Sequence, residues 1–240
     1  MPRFPITPGQ IKNETATITG PDYRHIVNVL RLRPGNDVVL FEEGGVEYEG
    51  KITEINKREV KVLIRESRDV KTESGLNITL LQGIPKGDKM DWIVEKSTEL
   101  GVRTIIPVIT ERSQIRESRK IQRWQRIANE SIKQCGRVKA PKILTPLTFN
   151  AAIKFNNNSK LKLMFYEKAE TRLINNVKNT IQPTDDITLL FGPEGGFSEN
   201  EVKLAIEEGF TPIGLGPRIL RTETAGIVAL SILQFLFGDI

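Results

Sequence analysis

The chain has 240 residues, of which 38% are hydrophobic and 27% charged, and its net charge at pH 7 is +5. This is the composition of an ordinary globular protein with room for one large or two small domains. No apolar run reaches the roughly 18 residues that a membrane-spanning helix needs, and the N-terminal residues do not form a signal peptide. One cysteine excludes an internal disulfide and fits the reducing cytoplasm. With one histidine beside it, a zinc site and a histidine-based catalytic triad are disfavoured, so we expect no metal.

The first 70 residues contain short runs in which apolar and polar residues alternate, which is typical of β-strands. These runs cover residues 15–19, 38–41, 46–55 and 59–64. A short helix is expected from Gly20 to Arg31. The pattern predicts a small β-barrel domain at 1–70. Polar residues from 66 to 75, ending in Ser74-Gly75, indicate a linker, which we place at 71–75.

A different pattern begins at residue 76 and predicts a second domain at 76–240. Apolar strand-like runs at 78–83 and 104–110 flank an amphipathic helical segment at 88–100. Further strands are predicted at 161–166 and 187–191. Strands that alternate with helices of this length indicate an α/β domain with a parallel sheet.

Two glycine-rich loops follow the last two predicted strands. Gly192-Pro193-Glu194-Gly195-Gly196 follows the strand 187–191 and precedes a helix with a capping box at Ser198 and Glu201. Residues 216–221 follow the strand 211–215 and lead into an apolar helix, with Thr222 as the expected N-cap. Because ligands bind beyond the carboxyl ends of parallel strands, we expect both loops to line one site.

The chemistry of the loops excludes two common nucleotide-binding motifs. Residues 192–196 lack the Gly-Lys-Ser/Thr ending of a P-loop, and Gly214-Leu215-Gly216 lacks the third small residue of a dinucleotide fingerprint. The free N–H groups at the start of the last helix lie beside Arg218 and Arg221 in the sequence. They favour polar or anionic groups and can stabilise developing negative charge.

The most basic part of the chain lies between residues 112 and 142. It holds ten Lys or Arg residues against two acids, a net charge of +8. A helix from Ser118 is predicted, with a buried stripe of Ile121, Trp124, Ala128, Ile132 and Cys135 that leaves the basic residues outside. A clustered basic surface indicates nucleic-acid binding. The alternative is an ordinary solvated helix face.

The motif 191–196, Phe-Gly-Pro-Glu-Gly-Gly, together with 215–225, Leu-Gly-Pro-Arg-Ile-Leu-Arg-Thr-Glu-Thr-Ala, resembles the signature pair of the SPOUT (α/β-knot) methyltransferases. The closest resemblance is to the bacterial small-subunit ribosomal RNA uridine-N3 methyltransferase (RsmE) family. Further matching segments are 2–4, 86–90, 95–101, 110–113 and 134–137. The likeness spans nearly the whole chain.

The resemblance implies an N-terminal PUA-like RNA-binding β-barrel and a C-terminal α/β trefoil-knot domain that forms a homodimer. It implies a cytoplasmic enzyme that uses S-adenosylmethionine to methylate N3 of a specific uridine in 16S ribosomal RNA of the small subunit, uridine 1498 in the usual numbering. Two alternatives remain open. One is another SPOUT activity such as ribose 2′-O methylation, and the other is a non-catalytic RNA-binding or ribosome-assembly factor.

The resemblance also assigns roles to residues. Arg221 is expected to stabilise the uracil anion, and Glu223 and Glu194 are possible proton acceptors. The expected cofactor-binding residues are Gly192, Pro193, Glu194, Gly195, Leu215, Gly216, Ile219, Leu220, Thr224 and Ala225. The expected RNA contacts are Arg3, Arg24, Arg31, Arg33, Lys86, Lys89, Arg112, Arg119, Arg123, Arg126 and Arg137.

Overall fold

A computed structural model describes residues 1–113, 120–155, 158–169 and 186–240. The chain divides into two compact units. The first comprises Met1–Glu73 and Ile132–Lys139, and the second comprises Ser74–Ser131 and Ala140–Ile240. Among the described helices, none is long and apolar enough to cross a membrane.

The first unit is built on a six-stranded sheet. Its strands are β1 (Arg3–Pro5), β2 (Ile11–Lys12), β3 (Thr15–Thr19), β4 (Asp37–Phe41), β5 (Val46–Ile55) and β6 (Glu59–Asp69), in the order β1-β4-β5-β6-β3-β2. Strand β1 pairs with β4 in parallel, and every other pair is antiparallel. Helix α1 (Gly20–Arg24) continues into a π-helical turn (His25–Val29). The predicted β-rich architecture of this segment is confirmed.

The core of the first unit follows from the two-residue period of its strands. Ala16 and Ile18 of β3 are buried against Val60 and Val62 of β6, while alternate residues are more exposed. Strand β6 runs on to Asp69 because its last residues pair with the beginning of β5. The polar stretch at 66–69, which the sequence assigned to the linker region, is therefore the end of a strand.

The second unit contains a parallel sheet, as predicted. Its strands are β7 (Asn77–Gly83), β8 (Thr104–Ile109), β9 (Lys142–Ile143), β10 (Leu147–Thr148), β11 (Leu161–Phe165), β12 (Asp186–Phe191) and β13 (Thr211–Ile213). The order is β10-β8-β7-β12-β11-β13, with β9 also paired to β8. The helices are α2 (Lys89–Glu99), α3 (Ile121–Cys135), α4 (Phe149–Ile153), α5 (Glu199–Glu207) and α6 (Thr222–Phe237). The last turn of α3 belongs to the first unit.

Both faces of the parallel sheet are covered, which explains why its strands read as continuous apolar runs. In β12, Leu189 and Phe191 belong to a core with α2, α3 and α6, whereas Leu190 belongs to a core with α4 and α5. The buried stripe predicted for α3 is present, with Trp124 and Ala128 inside the first of these cores. The helices thus leave the carboxyl ends of the central strands free to carry loops.

Candidate functional site

The two glycine-rich loops line one cavity of about 520 Å³ in the second unit. Its walls begin at the last residues of three adjacent strands, Phe165 of β11, Phe191 of β12 and Ile213 of β13. Residues 192–197 form one side and 214–222 another. The volume is within the range of sites that hold small molecules of cofactor size.

Nine of the ten expected cofactor-binding residues line this cavity, and Thr224 does not. Thr222 and Ala225 stand three positions apart on α6 and therefore share the face that meets the cavity. Thr224 lies on another face of the same turn and is exposed. Thr224 therefore does not line the cavity, and its assignment to cofactor binding stays a prediction.

The floor of the cavity includes residues that the sequence did not identify. Phe165 and Phe191 stack with ring centroids 4.3 Å apart and an angle of 3° between their planes, and Tyr166 and Glu167 line the wall beside them. Phe165 and Tyr166 end the predicted strand 161–166 and Glu167 follows it, and this strand carries no glycine-rich motif. The adjacency of β11 to β12 and β13 places them here, and this adjacency is a property of the sheet order.

Close backbone approach fixes the loop 192–196. A Cβ atom added to Gly83, at the end of β7, would lie 2.7 Å from Pro193 Cδ and 2.9 Å from the carbonyl carbon of Gly192. Gly196 has a φ of +66°, which favours glycine. In the second loop, Gly216 has a φ of +121° and no atom within 4 Å of its would-be Cβ. Space therefore remains beside Gly216 in the cavity wall.

The charged residues at the cavity are organised around Lys89. Its Nζ lies 2.8 Å from Glu194 Oε1 and 3.6 Å from Glu223 Oε2, and the backbone N–H of Lys86 also donates to Glu194. Burial raises the pKa of the Glu194 carboxyl, but the hydrogen bonds from Lys89 and from backbone N–H groups outweigh it and leave the pKa below its usual value. The bond to Glu194 raises the pKa of Lys89. Glu194 is thus held as a carboxylate.

The start of α6 differs from the sequence prediction. Arg221, rather than Thr222, is the N-cap residue, and its side chain makes no capping bond. Thr222 is the first helical residue, and its hydroxyl donates to the carbonyl oxygen of Gly192 over 2.6 Å. The predicted cap is wrong because this hydroxyl is engaged by the other loop. Arg221 lines the cavity directly before it.

Two of the expected RNA contacts have structural roles in the first unit. Arg137 is buried and pairs with Glu73 over 2.7 Å, and Glu73 also accepts from the N–H groups of Val138 and Lys139. Arg3 forms an ion pair with Glu47 and donates to the carbonyl oxygen of Ile132. Both guanidinium groups are engaged inside the first unit, and the assignment of Arg3 and Arg137 to RNA contacts stays a prediction.

The other expected RNA contacts are more accessible. Arg24, Arg31, Arg33 and Lys86 are exposed. Arg112 is also exposed, although its Nη1 donates to the carbonyl oxygen of Gly195 over 2.8 Å. Arg119 lies outside the described residues.

The positive charge of the segment 112–142 is partly neutralised in the folded chain. Its basic residues pair with acids from other parts of the sequence: Lys120 with Asp88, Arg123 with Asp91, Lys133 with Asp22 and Arg137 with Glu73. The sequence count of +8 therefore overstates the charge available to a nucleic acid. Arg126, Lys139 and Lys142 remain exposed.

Comparisons with known proteins agree with this architecture. A family described as RNA methyltransferase domain matches residues 72–234, and one described as RNA methyltransferase PUA domain matches residues 18–65. The ribosomal RNA small subunit methyltransferase E of Bacillus subtilis is 32% identical over 92% of this chain and 90% of its own length.

Two solved structures are also similar over nearly full length. A ribosomal RNA small subunit methyltransferase E from Neisseria gonorrhoeae, bound to S-adenosylmethionine, is 36% identical with a TM-score of 0.86, covering 100% of this chain and 99% of that one. A Legionella pneumophila methyltransferase in complex with the same cofactor is 35% identical with a TM-score of 0.90, covering 99% and 98%. The resemblance and fold class expected from the motifs are confirmed. The chain belongs to the RNA methyltransferase domain family and, within it, to the ribosomal RNA small subunit methyltransferase E proteins.

Proposed function

We propose that this protein transfers a methyl group from S-adenosylmethionine to N3 of a uridine in the 16S ribosomal RNA of the small subunit. The observation that carries the proposal is the single cavity lined by both glycine-rich loops, whose sequences are the ones that resemble the family signature. Relatives named as methylating small-subunit ribosomal RNA support the substrate class. We propose the cytoplasm as the location of the enzyme, because bacterial ribosomal RNA is found there.

The cavity fits the methyl donor. Its stacked phenylalanine floor suits an aromatic base, and its glycine-rich walls offer backbone N–H and carbonyl groups close to a ligand. The space beside Gly216 would be filled by any larger residue. We assign donor binding to the nine cavity-lining residues expected for it. When bound, S-adenosylmethionine supplies an electrophilic methyl group on its sulfonium sulfur.

The residues at the mouth of the cavity suit activation of uracil. Its N3 carries a proton at neutral pH, so the site must accept that proton and stabilise the anion left on the ring oxygens. Arg221 offers a permanent positive charge at the cavity wall. Glu194 is a poor acceptor because its pKa is low. Burial raises this pKa, but the hydrogen bonds from Lys89 and from the backbone of Lys86 lower it by more.

Glu223 is the remaining candidate acceptor, although, unlike Glu194, it is not among the residues that line the cavity. Its Oε2 is buried and, among the described residues, has no hydrogen-bond partner. The 3.6 Å to Lys89 Nζ is an ion-pair distance without a hydrogen bond. A carboxylate oxygen of this kind retains its lone pairs, and Glu223 would accept the proton once its side chain reaches the cavity. Lys89 pairs with both glutamates and offsets one of their two negative charges.

Methylation of small-subunit ribosomal RNA with a labelled donor tests the proposal. The purified protein is incubated with RNA or with small subunits that lack the modification, and the labelled atom is mapped. Label at N3 of a uridine supports the proposal, and the uridine found tests position 1498. Label on a ribose oxygen would favour the 2′-O alternative, which needs no uracil deprotonation. No incorporation into either substrate would favour a non-catalytic role.

We further propose that residues 1–70 bind RNA and that residues 76–240 bind the donor and carry out the transfer. The exposed residues Arg24, Arg31 and Arg33 of the first unit are suited to phosphate contacts. In the second unit, we assign RNA contacts to Lys86, Lys89, Arg112, Arg123 and Arg126. The ion pair of Arg123 with Asp91 reduces the positive charge that Arg123 offers to RNA.

We propose that the protein acts as a homodimer through the second unit. Helix α6 carries apolar residues around its whole circumference, yet Phe235 is 72% exposed. Ile227, Val228 and Ile232 of the same helix are half-buried. A second copy of this chain is the occupant that the family resemblance implies for such a face.

A further inference from the structure

A chain of buried side-chain hydrogen bonds joins three segments around the cavity. Gln82 Nε2 donates to Thr222 Oγ1 over 2.9 Å, and the Thr222 hydroxyl donates to the carbonyl oxygen of Gly192 over 2.6 Å. Gln82 ends strand β7 beside Gly83, Gly192 begins the first glycine-rich loop, and Thr222 begins α6. The bonds therefore tie the end of one strand to both loops of the site.

The direction of these bonds is set by Gln82. A hydroxyl carries one proton, so a Thr222 hydroxyl that accepts from an amide is left with its own proton for Gly192. Gln82 Nε2 also donates to the carbonyl oxygen of Gly83, which fixes the orientation of the amide. A hydrophobic residue at position 82 would leave the Thr222 hydroxyl free to rotate away from Gly192.

One atom of this arrangement is unfavourably placed. The side chain of Gln82 has no exposed surface, and its Oε1 has no hydrogen-bond partner among the described residues. Burying an unpaired acceptor is costly, and such groups in native structures call for an explanation. The backbone beside Gln82 is also tightly packed, since Gly83 has no room for a Cβ atom against Gly192 and Pro193.

We propose that Gln82 and Thr222 are positioning residues of the methyl-donor site, a role that rests on the proposed function. They hold the carbonyl group of Gly192 and the first turn of α6 at a fixed separation. The gap between the two loops, in which the donor would lie, is thereby set before the donor binds. Arg221 directly precedes Thr222, so the same bonds orient the residue assigned to the uracil anion.

Paired substitutions test this inference by donor binding. Thr222→Val keeps the shape of the side chain and removes the hydroxyl, and Gln82→Met removes the amide. Each is expected to weaken binding of S-adenosylmethionine about tenfold, as measured by calorimetry, because part of the binding free energy must then be used to bring the two loops to the separation that these bonds otherwise hold. Thr222→Ser keeps the hydroxyl and is expected to restore most of the affinity.

Two further comparisons separate positioning from general stability. Thr188→Val makes the same change at a buried threonine of β12 that bonds to Ser159 and does not line the cavity, and it should leave donor affinity unchanged. The double variant Gln82→Met with Thr222→Val should bind the donor no more weakly than either single variant, since both remove one linked chain of bonds. RNA affinity should be unchanged in all of them.

The outcomes are distinct. If the unsubstituted protein does not bind the donor, the proposed function fails and this inference fails with it. If it binds but Thr222→Val matches it, or Thr222→Ser is as impaired as Thr222→Val, the hydroxyl has no positioning role. Should one of the variants not fold, as judged by circular dichroism, the remaining members of the set still decide between these results.

Discussion

At the scale of single residues, the proposed reaction depends most on Arg221, which is assigned to stabilise the uracil anion. It lines the cavity at the N-cap of α6, where a positive charge and the free N–H groups of the helix start act in the same direction. We expect Arg221→Ala to lower single-turnover methylation about 100-fold or more, with donor affinity by calorimetry changed far less. The exposed Arg58 provides a matched control, because Arg58→Ala removes the same charge in the first unit. Undiminished turnover in Arg221→Ala would contradict the assignment.

The ion pair between the half-buried Glu73 and the buried Arg137 gives a prediction about stability. Burial raises the pKa of Glu73, but bonds from Arg137, Lys139 and Val138 outweigh it, and the pKa lies below its ordinary value of 4.5. Glu73→Gln removes the carboxylate that pairs with the Arg137 guanidinium, so we expect a loss of about 2–3 kcal/mol in the free energy of unfolding at pH 7. Glu43→Gln, at an exposed glutamate, should change it little.

The pH dependence of this loss has a definite sign. A carboxyl whose pKa is lowered by folding contributes stability that is present above its unfolded pKa and is lost as the pH falls through the folded pKa. The difference between the two proteins should therefore be constant from pH 7 to about pH 5 and shrink below pH 4.5. Denaturant titrations across this range measure it. A difference that grew on acidification would show that Glu73 does not act as a paired carboxylate.

Sequence reasoning at this scale found residues that stand in motifs and missed those placed by topology. The two glycine-rich loops were identifiable because glycine and proline constrain the backbone locally. Phe165, Tyr166 and Glu167 carry no such local constraint, and their place at the site depends on strand order. Thr222 was wrongly predicted as the N-cap, and the ion pair of Arg137 was not foreseen, because their partners, Gly192 and Glu73, are distant in sequence.

At the scale of elements, α3 shows how folding redistributes charge. Its periodicity correctly predicted the buried stripe, since that depends on spacing along one helix. The acids that neutralise its basic residues come from α2 and from the first unit, and no local pattern reveals them. A basic run in a sequence is therefore an upper limit on the positive charge that a nucleic acid meets.

Helix α3 accordingly offers a comparison of two arginines. Arg126 is exposed, whereas Arg123 is paired with Asp91. If the helix binds RNA, Arg126→Ala should reduce the slope of the logarithm of affinity against the logarithm of salt by about 1. Arg123→Ala should change the slope less, because its charge is already balanced. Filter binding at several salt concentrations measures both, and an unchanged slope in Arg126→Ala would remove the helix from the RNA interface.

At the scale of the whole molecule, the order of strands and helices along the chain was sufficient to predict a β-rich unit followed by a parallel α/β unit. The sheet order β10-β8-β7-β12-β11-β13 was not predictable from the order of the segments. It brings the ends of β11, β12 and β13 together and so creates one cavity from segments that are distant in sequence, among them Lys89 of α2 and Ala225 of α6. The resemblance of the motifs to a family of known fold supported the expectation that the two glycine-rich loops line one site.

Self-association is the property that depends on the molecule as a whole. Phe235 of α6 is 72% exposed, so Phe235→Glu places a charge on that face without disturbing the chain's own core. If a second copy covers this face, the protein should sediment at twice its 27.1 kDa and the variant at 27.1 kDa, because an unpaired buried charge disrupts an apolar interface. Ile206→Glu makes a comparable change on α5, at a residue that is 50% exposed, and should leave the dimer intact. A variant at Phe235 that still sediments as a dimer would place the interface elsewhere on the second unit, while a monomeric unsubstituted protein would exclude the homodimer altogether.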